Sequence, residues 1–140
     1  MKPYLNYKRN EPSTGWTRID LLLALYDGAL ERLDKAETAL NAGNQAAAVP
    51  LLARVQLIVA ELSAGVRLDV NPEVGTNMLR LYEFVVNELR KPRPEGIANA
   101  RKILRTLREG FEGIRAEANE LERTGQLPSA DRLQMVHATA

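Results

Sequence analysis

Side chains able to carry out acid–base, nucleophilic or metal chemistry are few in this sequence and poorly placed. The single histidine, His137, lies near the end of the chain, where no neighbouring element fixes its tautomer or direction for a Ser/His/Asp arrangement. There is no cysteine, which excludes disulfides, thiolate metal sites and cysteine nucleophiles. Dimetal carboxylate centres need inward glutamates and Glu-x-x-His pairs; no histidine falls in a helix-forming stretch, and the apolar stripes carry no Asp or Glu. Glu117 and Glu120 are a carboxylate pair on an outward face. Gly110 and Gly113 lie within a helical period rather than after a strand, so they are no phosphate-cradling loop. Arg101, Arg105 and Arg108, with Lys102, make a basic helix face without interleaved aromatics, and Glu109 and Glu112 follow at once. That is the pattern of a solvated face, not of a nucleic-acid surface. The expectation is a protein that is not an enzyme and takes no metal or cofactor.

The elements that must carry any function are helices. The 140 residues are one domain's length, and a chain of that size buries about 70% of its unfolded surface without a metal or disulfide. A hydrophobic fraction of 45% with only 5% aromatic, rich in Leu, Ala, Glu and Arg, is helical in composition. The net charge of +1 gives no bulk attraction to nucleic acid or anionic membrane. The longest apolar run, Leu21 to Tyr26, is far short of the roughly 20 residues of a membrane span. A cytoplasmic protein with no membrane insertion is the expectation.

Residues 1–16 show no apolar period and read as a polar arm. Thr17 followed by Asp20 is an acidic capping box opening a helix over residues 17–42, with Leu22, Tyr26, Ala29, Leu33, Ala36 and Leu40 as its inner stripe. Gly43 is a natural left-handed terminator. Asn44 can cap a second helix over 45–68, with Leu51, Leu52, Val55, Ile58, Val59, Leu62 and Val66 on one face; Pro50 requires it to bend there or to start later, near Val49. Asn71-Pro72 caps a third over 72–91, whose inner face is Val74, Met78, Leu81, Tyr82, Val85 and Leu89. After Lys91-Pro92-Arg93-Pro94, a fourth spans 94–123 with Ile97, Ala100, Leu104, Leu107, Phe111, Ile114, Ala118 and Leu121 in heptad spacing. Residues 125–140 read as a flexible or short helical tail. Short links make neighbours antiparallel, so the fold expected is all-α: an antiparallel up-down-up-down four-helix bundle with an N-terminal arm and a short C-terminal tail.

These helices carry more apolar surface than the stripes use. On the first helix Leu21 and Leu25 fall to one side of the stripe and Leu23 and Leu30 to the other. Leu57, Leu79 and Phe84 lie off the inner faces of the second and third. Gly28, mid-helix, permits close approach or leaves a trough. Small monomers rarely keep large contiguous apolar patches without a partner, so the surplus points to a bundle that binds another helix, or one that oligomerises.

The motifs also resemble a known family. Leu21-Leu22-Leu23-Ala24-Leu25-Tyr26-Asp27-Gly28-Ala29 is similar to the L-x-x-x-LYDGA signature of the FliS-type flagellar secretion chaperones. Pro3-Tyr4-Leu5-Asn6-Tyr7 resembles their P-Y-x-x-Y opening, and Arg54 to Leu62 their K/R-A-Q-x-I-I-x-E-L block. Asn77-Met78-Leu79 with Leu81-Tyr82-Glu83-Phe84 resembles N-L-x-x-LY-x-Y, and Leu107 to Phe111 resembles the closing L-R-E-A-W. Gly15-Trp16-Thr17-Arg18 departs from the family's T-A-S-P entry, and Phe111 replaces its closing tryptophan.

The resemblance implies a cytoplasmic export chaperone that binds the C-terminal helical segment of flagellin, prevents premature polymerisation and presents it to the flagellar type III export gate. It implies that Tyr4 and Tyr7 of the arm occupy part of the empty client groove. Leu21, Leu25, Tyr26, Gly28, Ile58, Leu62, Leu79, Tyr82, Phe84 and Phe111 are the candidate partner-binding residues on the bundle. The free protein is expected to be a monomer or weak dimer; the other reading left open is a homo-oligomeric structural or regulatory bundle.

Overall fold

A computed structural model describes residues 17–125; the arm with Tyr4 and Tyr7, and the tail with His137, lie outside the described residues. The described chain forms helices α1 (Arg18–Asn41), α2 (Gln45–Ala64), α3 (Pro72–Glu88), α4 (Pro94–Gly113) and α5 (Arg115–Arg123). Helix α1 packs against α2 and α4, and α3 closes the ring between those two. The protein is an all-α helical bundle.

The first three helices begin where a side chain can satisfy their free amides. The Thr17 hydroxyl accepts from the Asp20 amide, and the Asp20 carboxylate accepts from the Thr17 amide. Asn44 accepts from Ala47 N, and Asn71 from Val74 N ahead of Pro72. Gly43, at φ 75°, makes the left-handed turn between α1 and α2. At Gly96 a Cβ would collide with the Glu88 carbonyl oxygen, so the first turn of α4 reaches the end of α3 only because no side chain is present.

The core is one cluster. Ile19, Leu23, Tyr26, Ala29 and Leu33 of α1 meet Leu52, Val55 and Val59 of α2, Met78, Tyr82 and Val85 of α3, and Ile97, Leu104 and Phe111 of α4. Burial of these side chains on one another supplies most of the stability, since isolated helices of this length are marginal in water.

Several expectations are corrected. The inner stripe of α1 runs through Ile19 and Leu23, not Leu22, which is half-buried at the edge together with Leu40. Consecutive leucines at 21–23 do not fix the helix's rotation by themselves. Packing of Ile19 and Leu23 into the common core does so, and a row of ion pairs runs beside them: Asp34 with Arg101 (3.0 Å), Asp27 with Arg108 (2.5 Å) and Asp20 with Arg115 (2.8 Å). These pairs recur every seven residues on both sides of the antiparallel seam that α1 makes with α4 and the start of α5. Arg101 also reaches Glu37 (2.8 Å) and is only 15% exposed at its side chain. Arg101 and Arg108 are therefore seam residues rather than a solvated basic face.

The fourth helix is interrupted. It stops at Gly113, and Ile114 (φ −109°, ψ 11°) separates α4 from α5. Gly110 and Gly113 weaken the helix there, and the break lets α5 fold back on the start of α1. Thr17 Oγ1 donates to Asn119, and Glu122 accepts from Arg18 N (3.1 Å). Helix α2 starts at Gln45 and runs through Pro50; the carbonyl that proline leaves unbonded, Ala46, lies on the exposed side. It ends at Ala64, short of residue 68. By length and composition α2 could cross a membrane, but Ala48, Leu52, Val55, Val59 and Leu62 lie in the bundle core and Arg54 stands mid-helix, where a cation is costly in lipid.

Candidate functional site

Where α1 begins, α2 ends, α3 begins and α4 ends, the bundle fails to close on itself. Leu21, Leu22 and Leu25 from α1, Leu62, Gly65 and Val66 at the end of α2, Met78 and Tyr82 from α3, and Phe111 from α4 line a cavity of about 360 Å³. Arg18 and Glu61, of opposite charge, complete its wall. The cause is local: α2 stops at Ala64, its cap Gly65 carries no side chain, and the leucine-rich edge of α1 therefore faces open space instead of another helix.

Two tyrosine hydroxyls put a polar point in the floor of the cavity. The hydroxyls of Tyr26 and Tyr82 are hydrogen-bonded at 2.6 Å, and the Tyr26 ring packs on Phe111 with centroids 5.9 Å apart and planes inclined by 34°. Burial raises both hydroxyls above the ordinary tyrosine range, Tyr82 to about 12 and Tyr26 further, the unpaired phenolate being poorly solvated there. Neither can act as an acid or base near neutrality. Among the described residues no group of His, Cys, Asp or Glu could hold a metal ion. What the cavity offers is apolar volume, at the small end of the range of ligand pockets, with one cation and one anion at its wall.

The sequence candidates separate into distinct places. Leu21, Leu25, Leu62, Tyr82 and Phe111 line the cavity, and Tyr26 lies beneath it. Gly28 and Ile58 belong instead to the α1–α2 seam: a Cβ on Gly28 would stand 3.8 Å from Ile58 Cδ1, and the Gly28 carbonyl accepts from Arg32 at 3.0 Å. Leu79 is half-buried and Phe84 is 43% exposed; neither lines the cavity.

Arg18, Leu22, Glu61, Gly65, Val66 and Met78 were not among the candidates. Periodicity assigns Leu22, Val66 and Met78 to inner faces, and it does not show that an inner face at a bundle's end lacks an opposing side chain. The Leu-rich run before Tyr26 was the available signal for Leu22.

A second, polar furrow lies along the α1–α4 seam, lined by Asp20, Leu23, Ala24, Asp27, Arg108 and Arg115. Its charges are paired with each other, so it has no unsatisfied group to offer a ligand.

Compared with curated proteins and with solved structures, the chain has no significant match. A family model described as flagellar protein FliS matches residues 1–118, a span that contains every cavity-lining residue. By that match over most of its length, the chain belongs to the FliS family of flagellar proteins.

Proposed function

We propose that this protein is a cytoplasmic export chaperone that holds the C-terminal helical segment of flagellin, prevents its premature polymerisation and delivers it to the flagellar type III export gate. The observation that carries this reading is the end cavity: a family member of flagellar type leaves Leu21, Leu22 and Leu25 half-buried around an apolar space. An amphipathic segment, unstructured alone, gains a packed face by laying its apolar side chains there, at the cost of its own ordering. Arg18 and Glu61 can orient it through charged side chains at the wall. Tyr4 and Tyr7 of the arm are assigned to the same groove when no client is bound, by ring burial and a hydroxyl hydrogen bond.

The test is a pull-down of flagellin by the full chain. Full-length flagellin should be retained, and flagellin lacking its C-terminal segment should not. Equal retention of both would contradict the proposal.

A further inference from the structure

Helix α5 grips the first turn of α1 through one face. Arg115, Asn119 and Glu122 recur at steps of 4 and 3, and each meets a different group of that turn. Arg115 pairs with Asp20 Oδ1 at 2.8 Å, Asn119 Oδ1 accepts from the Thr17 hydroxyl, and Glu122 Oε1 accepts from Arg18 N at 3.1 Å. The local cap uses the remaining capacity of the same groups. Thr17 Oγ1 also accepts from Asp20 N, and Asp20 Oδ2 accepts from Thr17 N. The Arg18 amide is among the first four of α1, which have no partner within the helix. Glu122 satisfies it and places negative charge at the positive end of the helix.

On its other flank the same turn forms a wall of the end cavity, through Arg18, Leu21 and Leu22. Asp20, two positions from each of Arg18 and Leu22, lies on nearly the opposite side of α1, so α5 holds that wall from behind. Neither partner is secure alone. Nine residues are too few for a stable helix in water, and only Ala118 of α5 is buried. The first turn of a helix frays unless its amides are satisfied.

We propose that α5 is a strut that fixes the first turn of α1 and, through it, the cavity wall of Arg18, Leu21 and Leu22, with Asn119 and Glu122 as positioning residues. Both lie beyond the span matched by the family model. The consequence for a client, tighter binding to a preorganised wall, rests on the function proposed above; the strut itself does not.

Amide hydrogen exchange of the full chain tests the strut without a client. Glu122→Ala and Asn119→Ala should each speed exchange about fivefold or more at Leu22 and at Leu21, whose amide bonds to Thr17 O, with Val55, Val59 and Leu104 unchanged. Glu122→Gln keeps an acceptor for the Arg18 amide and should stay within about twofold of the parent. Unchanged exchange at Leu21 and Leu22 in both alanine variants, or equal acceleration in the core, would overturn the proposal. The Asn119→Ala/Glu122→Ala chain should then bind a flagellin C-terminal peptide at least about threefold more weakly. Accelerated exchange with undiminished affinity would uphold the strut and count against the client reading instead.

Discussion

Two hydroxyls define the floor of the cavity, and their behaviour is separable from its apolar walls. Among the described residues the Tyr26 and Tyr82 hydroxyls bond only to each other, at 2.6 Å, so removing one leaves the other buried without that partner. Tyr82→Phe is expected to cost about 1–3 kcal/mol, and the Tyr26→Phe/Tyr82→Phe pair less than the sum of the two single changes. The same pair sets an alkaline limit. Tyrosine in the unfolded chain titrates near 10, whereas Tyr82 in the folded protein is pushed up to about 12 and Tyr26 beyond it. Above about pH 10 the unfolded chain therefore releases protons that the folded chain retains, so stability is complete below that pH and falls as pH rises through the folded values. Urea titrations between pH 8 and 12 should show this decline in the parent and a flatter curve in the doubly substituted chain. Equal slopes would contradict the assignment.

At the scale of the element, what the sequence disclosed and what it hid have different physical origins. Helix starts were legible because Thr17, Asn44 and Asn71-Pro72 carry their own capping chemistry ahead of an apolar period, and the observed caps use those same side chains. The rotation of α1 was not legible from Leu21, Leu22 and Leu23, since any of the three suits a core. It follows from long-range packing of Ile19 and Leu23 in the core, beside an Asp–Arg row whose partners are 67 to 95 positions apart in the chain. The break at Ile114 was hidden for a similar reason: heptad spacing continues through Ala118 and Leu121, and the contacts that favour folding α5 back, with Thr17, Arg18 and Asp20, are long-range. The approach of α4 to α3 rests on Gly96, where the obstacle to a larger residue is backbone and cannot swing aside. Gly96→Ala is expected to destabilise by about 1–3 kcal/mol despite alanine's better helix propensity. A chain as stable as the parent in thermal unfolding would show that the α3–α4 junction is looser than described.

For the whole molecule, the distinguishing feature is a bundle sealed along its length and unsealed at one end. The continuous core cluster joins four helices, and the ion-pair seam ties α1 to α4 and the start of α5, so the end cavity is framed by packed helices. Of the candidate site, the sequence exposed the surplus of apolar residues but not its distribution. Leu21 and Leu25 face the cavity, Gly28 and Ile58 serve the α1–α2 seam, and Leu57 and Phe84 look outward. Composition and periodicity count apolar groups by helix face; only the three-dimensional ring reveals which face has no neighbour.

That distinction makes Leu25 the informative position, because it is half-buried at the cavity and outside the central stripe of α1. The decisive measurement is calorimetric titration of the parent and of Leu25→Asp with a peptide spanning the flagellin C-terminal segment, with helicity and melting recorded for both. Loss of one buried leucine contact together with the placement of a carboxylate in apolar space should weaken binding about tenfold or more while the bundle stays folded. Undiminished affinity in a folded Leu25→Asp chain would show that the client is held somewhere other than this cavity.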